Sequence, residues 1–154
     1  MGSYLGSDLM VKLHLGVINV KYAYSDEALD TALVATYLED KYHIIGSFVE
    51  TYETGIADHM AKAASSAFKR VMMGAPPGDV FAPAMSKISR DMKNYLSSKE
   101  VERVLAGEDP KVPTKAALDG VRHRRKRVTR GPRRPSFIDT GMYQGSLIAW
   151  VDEN

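Results

Sequence analysis

From Ile44 to Ala67 the apolar residues follow one repeating pattern: Ile44, Phe48, Tyr52, Ile56, Met60, Ala64 and Ala67. Steps of three and four residues are the period of one face of an α-helix. Gly55 lies inside the stripe and costs only about 1 kcal/mol, too little to end the helix by itself. The stop comes at Gly74-Ala75-Pro76-Pro77-Gly78, a loop signature. Run without a break from Ile44 to Met73, such a helix is about 45 Å long. A chain of 154 residues makes one domain. A helix of that length must therefore span the domain, or project from it and pack on neighbours.

The other segments arrange themselves around this helix. Met10-Val11-Lys12-Leu13-His14-Leu15 alternates apolar and polar, the period of a half-buried strand, and Val17 to Tyr24 has strand-like composition again. Gly16 between them predicts a bulge or bend. Ser25-Asp26-Glu27 supplies an N-cap and early acids for a helix from Ala28, with Leu29, Leu33 and Tyr37 on one face. Lys41-Tyr42-His43 predicts a break before the long helix. Beyond the Pro-Pro loop, Phe81, Met85, Ile88, Met92 and Tyr95 or Leu96 mark a further helix. Ser97-Ser98 predicts the cap of a short helix to Leu105, and Lys115 to Leu118 a single turn closed by Gly120.

Charge is distributed unevenly. Residues 1–121 carry 13 Lys+Arg against 16 Asp+Glu, whereas 122–135 carry eight Lys+Arg and no acid. This segment has almost no apolar residues and includes Gly131-Pro132, so it reads as an exposed basic arm that buries no core. Three readings of it stand side by side. It lies on an acidic surface of a neighbouring subunit, it contacts nucleic-acid phosphates, or it is a solvated loop. It has neither interleaved aromatics for stacking on single strands nor a groove-reading helix.

Enzyme chemistry finds little footing. His14, His43, His59 and His123 lie on different elements and none is in a ligand-spaced pair. Glu39, Asp40, Glu50, Glu53 and Asp58 fall on polar helix faces, where solvated pairing such as Asp58 with Lys62 is expected. Asp139-Thr140-Gly141 has the triplet of an aspartic protease, but that chemistry needs two carboxylates sharing a proton and no second triplet exists. There is no phosphate-binding glycine loop or nucleophile elbow, so neither a catalytic residue nor a cofactor is expected. With no cysteine, thiolate metal sites and disulfides are excluded. No apolar run reaches the roughly 20 residues of a membrane span, and no signal-peptide pattern opens the chain.

The C-terminal stretch is the most patterned. Pro135 biases Arg134 towards an extended conformation, Phe137 and Ile138 form a short apolar anchor, and Asp139-Thr140-Gly141 is turn chemistry. About one helical turn follows to Gly145, then a strand-length run, Leu147 to Val151. The one Trp, Trp150, predicts a docked strand with its ring buried.

Arg-Pro-Ser-Phe-Ile-Asp-Thr-Gly-Met-Tyr followed by a strand resembles the Arg-Pro-x-hydrophobic-Asp-Thr-Gly element of bacteriophage tail-component and head–tail joining (neck) proteins. His14 to Val17, Tyr37 to Ile44, Val112 to Leu118 and Gly120 to Arg124 are similar to landmarks of phage virion proteins, so the resemblance covers nearly the whole chain. It implies a structural protein of the virion: a homo-oligomeric ring, of six or twelve subunits, at the head–tail junction. Its neighbours would be a portal or connector and a tail tube or terminator, with genomic DNA as a further contact in the lumen. Under it, Arg122, Arg124, Arg125, Arg127, Arg130, Arg133 and Arg134, with Phe137, Asp139, Thr140, Tyr143 and Trp150, are the expected partner-binding residues. A small DNA-binding module using the arm is the alternative. The expected fold is one α+β domain over residues 1–154, with an exposed arm at 122–135. In it, two N-terminal strand segments and the C-terminal strand form a small antiparallel or mixed sheet packed with long helices.

Overall fold

The computed structural model describes residues 11–23, 29–122 and 128–152. The fold is α+β. The long helix, α2, spans Ile44–Met72, 29 residues and about 43 Å. It follows α1 (Thr31–Tyr42) at a sharp corner where His43 adopts φ 50. Glu39 makes that corner possible. Its carboxylate accepts from the N–H of Ile45 at 2.7 Å and of Gly46 at 3.0 Å, satisfying donors that a helix start leaves unpaired. Glu39 is thus a cap rather than part of a solvated face.

Ile44, Phe48, Ala63 and Ala67 are buried on α2, with Tyr52, Ile56 and Met60 half-buried against the core. Ala64, expected in the stripe, is exposed instead. Repeated four-residue steps over-rotate by about 40° each, which carries position 64 off the buried face and brings 63 onto it.

Helices α3 (Ala82–Ser97) and α4 (Glu100–Leu105) pack on α2 and close the core around Phe48, Ile88, Tyr95, Leu96 and Val101. Tyr95 donates to Ser47 Oγ at 3.1 Å and Tyr52 to Glu100 at 2.7 Å, so both phenols keep partners. Lys99, at φ 61, stands at the N-cap of α4 in place of the expected Ser98.

The two ends of the described chain meet in one sheet. β1 (Lys12–Val17) runs antiparallel to the final strand, Leu147–Asp152, in the register Lys12↔Asp152 to Val17↔Leu147. The inner edge of that strand is held by α3, where the N–H of Ala149 donates to Ser89 Oγ at 2.9 Å.

Three expectations are corrected at the N-terminal end. Gly16 makes no bulge; it pairs with Ile148 inside β1. Nor does the expected second strand segment form among the described residues. Thr31 is fully buried and takes its place: its Oγ1 donates to the Ile18 carbonyl at 2.6 Å and accepts from the Val20 N–H at 2.8 Å. Backbone groups tied to a side chain in this way are withdrawn from a ladder. Helix α1 begins at Thr31 with Asp30 as its N-cap, three residues beyond Ala28, while Ser25, Asp26 and Glu27 lie outside the described residues.

Candidate assembly interface

The basic segment divides into two parts with different environments. After the turn α5 (Lys115–Leu118), β2 (Val121–Arg122) pairs antiparallel with β3 (Thr129–Arg130). At the base of this ribbon Gly120, φ 61, lies so close to the crossing strand that a Cβ would sit 1.9 Å from the Gly131 carbonyl oxygen. Only glycine can hold that position. Arg122 is half-buried and Arg130 is exposed, while Arg124, Arg125 and Arg127 lie outside the described residues.

Arg134, expected on the exposed arm, belongs to the folded body, while Arg133 stays exposed as expected and is tethered to that body by one ion pair. Arg134 is only 7% exposed. Its guanidinium donates to the carbonyls of Val121 at 2.6 Å, Pro135 at 3.1 Å, Ser136 at 3.4 Å and Ile138 at 2.8 Å, with Asp139 Oδ1 4.0 Å from Nη2. The planar fork of Arg suits such a fan of acceptors. The Arg-Pro turn is therefore wrapped around its own arginine, which makes Arg134 a structural residue.

Arg133 reaches Glu102 on α4 at 2.7 Å. Glu102 is 5% exposed and also accepts from the Ser136 N–H and Oγ–H, both at 2.7 Å. Ser136 Oγ in turn accepts from the N–H of Thr114 at 3.1 Å. This buried carboxylate organises the whole element, and the sequence reading missed it. Glu-Val-Glu-Arg in a short helix has no pattern that separates a buried glutamate from a solvated one.

Beyond the clamp, Phe137 is buried as expected and meets Tyr42 edge-on, ring centroids 5.1 Å apart. Thr140 Oγ1 accepts from the Met142 N–H at 3.2 Å, and Gly141 takes φ 83 at the start of α6 (Met142–Ser146). Tyr143 is buried in the core, and that burial pushes its phenol well above the ordinary range. Like Phe137, it stabilises the subunit and is not available to a partner.

Trp150 departs furthest from expectation. It lies on the final strand, now β4, and is 41% exposed. Its ring stacks on His14, centroids 5.3 Å apart and planes at 14°, and covers Gly16, where a Cβ would lie 3.1 Å away. His14 is fixed from the other side by Asp152 at 2.7 Å. The strand is docked while one face of the ring stays in solvent, because β1 and β4 alone cannot cover the outer side of a two-stranded ribbon. Trp150→Ala should therefore cost about 1–2 kcal/mol, the loss of a half-covered ring and one cross-strand pair. Urea unfolding checks this; a loss above about 3 kcal/mol would mean the ring is covered in solution.

One surface went unnoticed in the sequence. The last turns of α2 leave Phe68 67%, Met72 72% and Met73 84% exposed, with Val71 beside them. They extend past the part of α2 that the core covers, so the apolar pattern there has nothing to pack on. Among the described residues no group of three or more His, Cys, Asp or Glu could hold a metal ion, and no helix is long and apolar enough to cross a membrane. No family model, curated protein or solved structure matches this chain.

Proposed function

We propose that this chain is a structural protein of a tailed-bacteriophage virion, closing into a homo-oligomeric ring at the head–tail junction. The Arg134-to-Tyr143 element supports the reading through its resemblance to neck and tail-component proteins. The observation that carries it is the apolar end of α2. A helix of 29 residues ending in Phe68, Val71, Met72 and Met73 in solvent suits a subunit whose neighbours cover that end. In this reading no residue is catalytic, and the portal or connector and the tail tube or terminator adjoin the ring.

The partner surface we propose is exposed Arg130 with the end of α2, to which the sequence reading adds Arg124, Arg125 and Arg127, outside the described residues. Phe137, Tyr143 and Arg134 are buried within the subunit, whereas Arg133, tied to Glu102 but still exposed, stays on the candidate surface. Light scattering and native mass spectrometry should find closed rings of six or twelve subunits. A protein that stays monomeric at high concentration and is absent from purified virions would overturn the reading.

The second reading, a DNA-binding module, is favoured by the ribbon itself, which gathers cations in the segment between its strands and carries exposed Arg130 at its base. A monomer that binds duplex with a logarithmic salt slope near about −0.9 per neutralised phosphate would support it. Replacing Arg124, Arg125 and Arg127 by Ser separates the two. Under the neck reading, filled heads and finished tails remain unjoined; under the second, joined particles form normally and only DNA affinity falls.

A further inference from the structure

Helix α2 is polarised. Residues 44–58 carry Glu50, Glu53 and Asp58 and no Lys or Arg, whereas residues 59–72 carry Lys62, Lys69 and Arg70 and no acid. Each half also has its own apolar surface. Beside the acidic half, Leu13 and Leu15 of β1 and Ile45, Val49, Glu53 and Ile56 of α2 line an open groove of about 500 Å³. Beside the basic half, Phe68, Val71 and Met72 stand out from the helix. The groove is apolar with Glu53 in its wall, and Lys69 stands next to the apolar projection, while Arg70 is turned towards Gly78.

These two surfaces cannot meet within one molecule. Val49 and Met72 are on the same continuous helix, about 35 Å apart at 1.5 Å per residue. Only another copy can bring a groove and a projection together. The helix dipole accounts for Lys69 and Arg70 in the last turn of α2, but not for the acids, none of which lies in its first turn. It does not explain why large apolar side chains are exposed at one end and an apolar groove is open at the other.

We propose that the Phe68–Met72 end of α2 docks into the β1–α2 groove of a second copy, with Lys69 facing Glu53 across the rim. This rests on the ring reading for its head-to-tail order, in which each subunit offers its projection to one neighbour and its groove to the other. The apolar contact supplies the affinity, and the charged rim fixes direction and rejects the reversed pairing.

The chain has no cysteine, so introduced thiols report without interference. The Val49→Cys/Met72→Cys variant, oxidised and run without reductant, should give a ladder of covalent oligomers up to the size of the ring. Phe68→Ser/Met72→Ser should weaken association more than about tenfold, a little over 1.4 kcal/mol, with melting of the subunit unchanged because both side chains are exposed. Covalent dimers alone would uphold the docking and overturn the head-to-tail ring. Rings of normal size without a cross-link would overturn the docking and leave the ring standing. Slow alkylation of the introduced thiol in a monomeric Val49→Cys variant would show the groove covered by the protein's own chain, which also overturns the docking.

Discussion

Arg134→Ala should lower the stability of the subunit by about 3–5 kcal/mol, although arginine removal from a basic surface segment is ordinarily harmless. The difference lies in what its guanidinium holds. The carbonyls of Val121, Pro135 and Ile138 converge on one side chain that is 7% exposed, and they belong to three parts of the chain: ribbon, turn and anchor. Without Arg134 those acceptors are buried beside a void, and each orphaned group costs about 1–3 kcal/mol. Lysine is no substitute, because an ammonium on a flexible stem cannot span these divergent carbonyls. In urea unfolding Arg134→Lys should fall near Arg134→Ala, and Arg130→Ala should stay within about 0.5 kcal/mol of the parent protein. Equal midpoints for Arg134→Ala and Arg130→Ala would show that Arg134 is not buried in solution.

Glu102→Ala should be of similar size, about 3–5 kcal/mol, and for a reason opposite in charge. One carboxylate accepts from Arg133, from the Ser136 N–H and from the Ser136 hydroxyl, each at 2.7 Å. The Arg133 side chain is 47% exposed, so water can solvate its guanidinium when Glu102 is lost. Arg133→Ala instead leaves a buried carboxylate without its cation and should cost about 1–3 kcal/mol. The larger part comes from Ser136, whose N–H and hydroxyl are buried and lose a charged acceptor together. Glu102→Gln keeps a carbonyl for Ser136 and should recover about half of the loss. Because Glu102 and Arg134 both hold the segment 133–139, the double alanine variant should cost less than the sum of the singles. Full additivity in a double-mutant cycle would mean that the two clamps act on independent parts of the structure.

The helices were legible in the sequence because their signals are local. Helix α2 needed only its apolar period and the Pro-Pro stop, and α3 carried Met85, Ile88 and Met92 in register. The turn at Thr114 and the helix it caps are likewise set by neighbours in the chain. The strand from Leu147 was visible for the same reason, and so was the burial of Phe137 behind its proline.

What only the tertiary structure decided depends on which distant groups arrive beside a residue. Val17 to Tyr24 has the composition of a strand, yet beyond Val17 it forms only an antiparallel bridge from Lys21 to Asp30, with the Thr31 side chain tied to Ile18 and Val20. Arg134 shares a charge run with Arg130, yet four carbonyls draw it into the body, while Glu102 tethers an Arg133 that stays exposed. Trp150 belongs to a docked strand, but its exposure depends on how many strands flank it, and among the described residues β1 alone does. Period and composition fix what a segment can become by itself. Whether a polar group is buried, or an apolar one left in solvent, is a property of the surfaces it meets, and those come from residues up to 138 positions away.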